Sequence, residues 1–182
     1  MIIKFLLVGD NKVGKSCILD RFIGDNFLEN YSTTNGIDFG CKKITYDNVI
    51  NYIQLWDTSG HDRFKPLIRL YYKTSNCIII IYDITNKSSF ENVKEWIKDI
   101  NKSNSNINKI IVGNKRDLSD DRVISYLEGK ELANLYNLDF YEISAKDDIN
   151  ITDIIYNNIR EKDVETPKDN KNILEKCFCA LL

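Results

Sequence analysis

The sequence contains no apolar run of membrane-spanning length: the longest, Cys77 to Tyr82, falls far short of the roughly 20 residues that a bilayer helix needs. No signal-peptide pattern opens the chain, so a protein made and kept in the cytosol is expected. A basic excess is also missing. Net charge is −2 and the pI about 5.5, which leaves no global footprint for nucleic acid. The cysteines, Cys17, Cys41, Cys77, Cys177 and Cys179, are odd in number and lack zinc-type spacing, and no structural disulfide is expected. No internal repeat is visible, and the asparagines are scattered. Hydrophobic residues at 43% and charged residues at 29% exclude a fibrous or wholly disordered chain. With 182 residues, one domain can bury a sheet-centred core without staples.

Short runs rich in Ile and Val, bounded by turn residues, occur at Ile2–Val8, Ile50–Leu55, Cys77–Tyr82, Lys109–Val112 and Phe140–Ile143, and predict buried strands. Helices are expected between them at Lys15–Ile23, Ser89–Asn101, Ser125–Tyr136 and Asp148–Arg160. In the second, Phe90, Val93, Trp96, Ile97 and Ile100 fall at helical spacing. Alternating strands and helices imply an α/β fold with a doubly wound, mostly parallel sheet. Asp38–Asp47 alternates poorly and reaches the next strand through Tyr46-Asp47-Asn48, which predicts a hairpin and an antiparallel edge strand, the sixth of the sheet. From about Lys162 the apolar periodicity stops. Residues 1–163 are therefore expected to form the domain and 164–182 a flexible tail.

Gly9-Asp10-Asn11-Lys12-Val13-Gly14-Lys15-Ser16 matches G-x-x-x-x-G-K-[ST] between the first strand and the first helix. Its glycines let backbone amides wrap a phosphate chain, and the helix start favours anions. Lys15 can reach the β- and γ-phosphates, and the Ser16 hydroxyl can ligate Mg²⁺. The motif indicates a nucleoside triphosphate without naming the base.

Asn114-Lys115-Arg116-Asp117 and Ser144-Ala145-Lys146 each follow a predicted strand, at the end where such sheets bind ligands. Together with the phosphate loop and Trp56-Asp57-Thr58-Ser59-Gly60, in this order and spacing, they resemble the Ras superfamily of small GTPases, whose fold is that of phosphate-loop NTPases. The resemblance implies guanine recognition by Asp117, with Lys115 covering the base, Asn114 tying the loops together and the Ala145 amide meeting the guanine O6. Phe27 would pack on the base edge, and Cys17 would complete the phosphate-binding run. A purine with the wrong edge would leave a buried carboxylate unpaired, which is costly.

Gly36-Ile37-Asp38-Phe39, Tyr52-Ile53-Gln54-Leu55-Trp56, Arg63-Phe64, Tyr71-Tyr72 and Ile81-Tyr82-Asp83-Ile84-Thr85-Asn86 are most similar to the Rab family. Trp56, Phe64 and Tyr72 as a set resemble the Rab switch surface. The likeness implies Mg²⁺ held by Ser16, Thr34 and, through water, Asp57, with the Gly60 amide on the γ-phosphate. It also implies an effector segment at Tyr31, Ser32, Thr33, Thr34, Asn35, Gly36, Ile37, Asp38 and Phe39. Segments 30–40 and 60–72 should order with GTP and relax with GDP. Lys15, Gly60 and His61 would act in hydrolysis, but His61 stands where the family usually has glutamine. Glutamine donates and accepts at once; neutral imidazole has another shape, and its charged form cannot accept. Slow intrinsic hydrolysis is expected. Asn11 and Lys12 depart from the smaller residues common in that loop, and Asn35 replaces an apolar residue on the effector surface.

Cys179-Ala180-Leu181-Leu182 fits C-a-a-X, whose Leu favours geranylgeranyl. Residues 161–176 carry four basic and five acidic side chains, so no polybasic second signal supports a single lipid. Cys177 could take a second prenyl group, a palmitoyl group or nothing. The family likeness implies an exchange factor, a GTPase-activating protein, a GDP-dissociation inhibitor and effectors as partners, and a monomer at the cytoplasmic face of a membrane. The alternative is a binding module held in the GTP state without useful hydrolysis. An ATP-using kinase is disfavoured by Asp117 and by the lack of a lid or acceptor motif.

Overall fold

The computed structural model describes residues 2–24, 34, 36–46 and 49–159. The chain runs β1 (Ile2–Gly9), α1 (Lys15–Ile23), β2 (Ile37–Tyr46), β3 (Val49–Thr58), α2 (Lys65–Tyr72), β4 (Cys77–Asp83) and α3 (Lys87–Glu91). It continues through α4 (Val93–Ser103), β5 (Asn108–Asn114), α5 (Tyr126–Leu135), β6 (Asp139–Glu142) and α6 (Ile151–Asn157), with 3₁₀ segments at Asp62–Phe64 and Arg116–Asp121. The strands form one sheet in the order β2-β3-β1-β4-β5-β6. All neighbours pair in parallel except β2, which runs antiparallel to β3 at the edge. The doubly wound sheet expected from the sequence is the one observed.

Burial explains the composition of the strands. Cys-Ile-Ile-Ile-Ile-Tyr-Asp of β4 is buried at every position, as a central strand covered on both faces requires. In β1 the pleat sends Phe5 and Leu7 to one face, with α1 and α6, and Leu6 and Val8 to the other, with α2, α4 and α5. Each fully buried aliphatic side chain contributes about 1.5–3 kcal/mol. β2 alternates poorly because it is an edge strand: among its residues with described burial only Gly40 and Ile44 are buried. Among the described residues no helix is long and apolar enough to cross a membrane.

Three helices differ from expectation. The single helix predicted over Ser89–Asn101 is two, α3 and α4, which divide at Asn92. Their start is set by Asn86, whose side chain accepts the Ser89 amide at 3.2 Å. The helix predicted from Asp148 begins at Ile151, because Asp148 and Asn150 have φ of 56° and 63° and close a turn instead. Ser125 caps α5 through a reciprocal capping box with Glu128 rather than opening it as a helical residue. The helix α2 went unpredicted. It is only eight residues long, buries Ile68 and Tyr72 and leaves Leu70 69% exposed, so its pattern covers barely two turns.

Polar bonds to α4 add to that apolar contact. Arg69 binds both oxygens of Asp99 on α4, at 2.7 to 3.1 Å, and the Tyr72 hydroxyl donates to Asp99 at 3.2 Å. Burial works against the Asp99 charge, but its Arg69 and Tyr72 bonds outweigh it and hold the carboxyl below the usual range.

Candidate nucleotide-binding site

The loop from β1 to α1 is shaped by its backbone. Gly14 caps α1 with φ of 93°, and a Cβ there would run into the Asn114 side chain. Only glycine fits that left-handed, crowded position. Lys15, 5% exposed, turns its ammonium into the loop and donates to the carbonyls of Gly9 and Asp10 at 3.0 and 2.7 Å. Burial lowers its pKa to about 8, against the attraction of Asp57 and Asp10. Gly60 packs on the same loop so closely that a Cβ would collide with the backbone of Asp10 and Asn11. The loop following β3 therefore meets the phosphate loop directly.

Beside it, three residues distant in sequence converge. Ser16 Oγ donates to Asp57 Oδ2 at 2.5 Å, Thr34 Oγ1 donates to the same oxygen at 3.0 Å, and the two hydroxyls lie 2.9 Å apart. Asp57 is 1% exposed, and its other oxygen, Oδ1, is buried without a hydrogen-bond partner. Burial pushes this carboxyl up, although the Ser16, Lys15 and Thr34 contacts oppose it. Two hydroxyls and a carboxylate with an orphaned buried oxygen fit a hard divalent cation that takes oxygen ligands. The residues present thus fit Mg²⁺.

The loops after β5 and β6 are cross-tied. Asn114 Nδ2 donates to the Val13 carbonyl at 2.8 Å, and its Oδ1 accepts the Ala145 amide at 3.2 Å, which links the phosphate loop to the last loop. That amide, expected to meet the guanine O6, is thus engaged by Asn114. Ser144 Oγ donates to Asp117 Oδ1 at 2.6 Å. Lys115, left-handed with φ of 69°, ion-pairs with Asp83 at 2.6 Å. Asp83 ends β4 on the ligand side of the sheet, and sequence reasoning could have included it on that ground alone. Three further residues were missed: Asn92 and Trp96, which donate to the Asp10 carboxylate at 2.7 and 2.9 Å, and Arg21, which donates to the carbonyls of Ala145 and Lys146. These contacts join positions 82, 86 and more than 120 residues apart, and no local pattern signals them.

His61 is half-buried and extended at φ −85°, ψ 136°, where its carbonyl starts the 3₁₀ segment by accepting the Phe64 amide at 3.0 Å. The aromatic surface needs one correction. Tyr72 is fully buried, and it is Tyr71 that sits against Trp56, at 5.1 Å, while Phe39 stacks on the other part of Trp56 at 4.8 Å. Helical phase explains the exchange, since Ile68 and Tyr72 share the inner face of α2. Phe64 is half-buried against the same cluster. Phe27, Tyr31, Ser32, Thr33, Asn35, Cys177 and Cys179 lie outside the described residues.

A glycine-wrapped loop opening the first helix, with cross-tied loops at the carboxyl ends of β5 and β6, is the architecture of a phosphate-loop nucleotide-binding domain. The sequence profile of the Ras family matches residues 4–163. The rice (Oryza sativa subsp. japonica) Ras-related protein RIC1 is 44% identical over 151 residues, 82% of this chain and 75% of that protein. GTP-binding protein yptV2 of Volvox carteri is 47% identical over 152 residues, 82% of this chain and 70% of its own length. GTP-binding protein ypt1 of Schizosaccharomyces pombe is 41% identical over 151 residues, 82% and 74% of the two chains. The chain belongs to the Ras superfamily of small GTPases, in its Rab family.

Proposed function

We propose that this GTPase is a two-state switch that binds Mg²⁺ with GTP or GDP, hydrolyses GTP slowly and recruits vesicle-traffic effectors at the cytoplasmic face of a membrane. The observation that carries the reading is the convergence of Ser16, Thr34 and Asp57 around a buried, unpartnered carboxylate oxygen. Thr34 lies in the first switch segment, so the site binds phosphate and sets that segment with the same atoms. In this reading 1–163 is the working domain and Cys179, with or without Cys177, carries the lipid.

The residues divide the work. Lys15 leaves the carbonyls of Gly9 and Asp10 for the β- and γ-phosphates, and the negative charge there keeps its ammonium protonated. The Gly60 amide meets the γ-phosphate. Mg²⁺ on Ser16, Thr34 and Asp57 neutralises charge on the phosphate oxygens when bound. Asp117, steadied by Ser144, accepts the guanine N1 and N2 protons. Phe39, Trp56 and Tyr71 form the aromatic face offered to effectors. Nucleotide released from the denatured native protein should be guanine nucleotide; recovery of adenine nucleotide would end this reading.

His61 favours a second reading, a module held in the GTP state without useful hydrolysis. Its side chain stands where a donor and acceptor is needed at once to hold the attacking water. Single-turnover hydrolysis, with and without a panel of activating proteins, separates the two. His61→Gln is expected to raise the intrinsic single-turnover rate about tenfold with little change in GTP affinity, a gain of roughly 1.4 kcal/mol that one well-placed hydrogen bond can supply. An unchanged or lower rate would shift the limit to Asn11 or to a partner's residue.

A further inference from the structure

The turn between β6 and α6 carries Ser144 and Ala145; the sheet holds it through the Ala145 amide, which donates to Asn114 Oδ1 at 3.2 Å, and through Asn150 Nδ2, which donates to the Glu142 carbonyl at 2.9 Å, neither of which engages the carbonyls of Ala145 or Lys146. Its ends are closed by Ser144 and Ile149, which exchange backbone bonds at 3.3 and 3.0 Å. The Ser144 hydroxyl accepts the Asp147 amide at 3.0 Å and donates to Asp117. Two non-glycine residues near its exit, Asp148 and Asn150, are left-handed. Aspartate and asparagine tolerate that conformation best, but a turn so built keeps one shape only when contacts outside it over-determine the backbone. For the carbonyls of Ala145 and Lys146 that contact comes from α1. Arg21 donates from Nε to the Ala145 carbonyl at 2.9 Å and from Nη2 to the Lys146 carbonyl at 2.5 Å. A guanidinium presents both donors in one rigid plane, so the two successive carbonyls are fixed together rather than singly.

We propose that Arg21 is a positioning residue for base recognition: it sets the Ser144–Lys146 turn, and through Ser144 the Asp117 carboxylate, on a helix whose other end carries the phosphate-binding residues. The inference rests on the proposed assignment of guanine to Asp117. Arg21 lies five residues from Ser16, about 8 Å along the helix axis. α1 is thus a rigid spacer between the phosphate end and the base end of the pocket. Displacement of its first turn is carried to the turn that orients Asp117. Nucleotide release then needs no separate event at the base, because a partner that moves α1 loosens both ends.

The test compares native protein, Arg21→Ala and Arg21→Lys for binding of GDP, of inosine diphosphate, which lacks the 2-amino group, and of GMP, which lacks the β-phosphate. Arg21→Ala should weaken GDP about tenfold and lower the preference for GDP over inosine diphosphate several-fold, since the 2-amino group is read by the carboxylate that has lost its support. The GDP to GMP ratio, which reports the phosphate end, should not move. Arg21→Lys should recover part of the base preference, because an ammonium can reach one carbonyl. A merely structural arginine would lower the melting temperature and leave the base preference as it was; that result in Arg21→Ala overturns the proposal. If Arg21→Ala does not fold, Arg21→Gln takes its place under the same criterion. Native protein that fails to prefer GDP over ADP would remove the guanine assignment and this inference with it, whereas a native preference retained by the variants removes the inference alone.

Discussion

Asp117→Asn is expected to weaken GDP binding by two to four orders of magnitude and to improve binding of xanthosine diphosphate. A carboxylate offers two acceptors to the guanine N1 and N2 protons, whereas an amide offers one acceptor and one donor. Xanthine carries a carbonyl where guanine carries the amino group, so the amide donor finds a partner there. A hydrogen bond to a charged group contributes about 1.5–3 kcal/mol; the amide loses the N2 bond, keeps only a neutral acceptor for N1 and sets its own N–H against the guanine amino group, and a total near that of two such bonds gives a factor of roughly 10² to 10⁴. The side chain is already placed: Ser144 Oγ donates to Oδ1 at 2.6 Å, and an asparagine can keep that bond through its own oxygen. The substitution therefore alters recognition with little disturbance of the loop. Competition binding of the two diphosphates measures it, and unchanged GDP affinity would count against Asp117 as the base-reading group.

Ser16→Asn should turn the chain into a GDP binder, with GTP affinity falling at least 10- to 100-fold further than GDP affinity. Disturbing even the supporting partners of a metal ligand typically costs this much in metal affinity. Here the hydroxyl itself is removed, and its neighbours, Thr34 Oγ1 at 2.9 Å and Asp57 Oδ2 at 2.5 Å, must accommodate a larger amide. In the proposed function Thr34 belongs to the first switch segment, so the loss should fall hardest on the state that needs the γ-phosphate. Ser16→Thr keeps the hydroxyl and should preserve the native ratio. Dissociation constants for GTP and GDP over a range of Mg²⁺ concentrations give the answer; equal affinities in Ser16→Asn would take Ser16 out of the metal site.

The parts of this protein that were legible in its sequence are those whose chemistry is contiguous. The phosphate loop is eight successive residues, and the strand that feeds it is an unbroken apolar run, so both the motif and its position in the sheet follow from local pattern. A mostly parallel sheet with one antiparallel edge could be anticipated for the same reason, with poor alternation in β2 marking that edge. Tyr71 and Tyr72 were confused because two adjacent aromatics give no helical phase by themselves. Their phase is set by Ile68 and by Asp99 on another helix, a bond partner 27 residues from Tyr72. The break at Asn92 was hidden because apolar residues continue on the same face through Phe90 and Val93. The supports of the site, Asn92 and Trp96 on Asp10 and Arg21 on Ala145 and Lys146, are contacts between distant segments, and only the folded chain brings them together.

The β2–β3 hairpin imposes an order of events. Its rungs run from Ile37 opposite Thr58 inward through Asp38 opposite Asp57 and Phe39 opposite Trp56, and beyond the outermost rung the Ser59 amide donates to the Gly36 carbonyl at 2.9 Å. An antiparallel ribbon pulled at its open end unzips rung by rung, because each broken pair exposes only the next. In the proposed function the segments that flank this open end are the two switch loops, which makes them the jaws of one zipper joined at the Gly36–Ser59 clasp. The second rung holds Asp57, the carboxylate of the candidate metal site, and the third the stacked aromatics, so fraying reaches Asp57 before it dismantles the Phe39–Trp56 platform. Under the proposed function, a partner bound to that platform should resist fraying from the inside, and its grip should be felt at the phosphate.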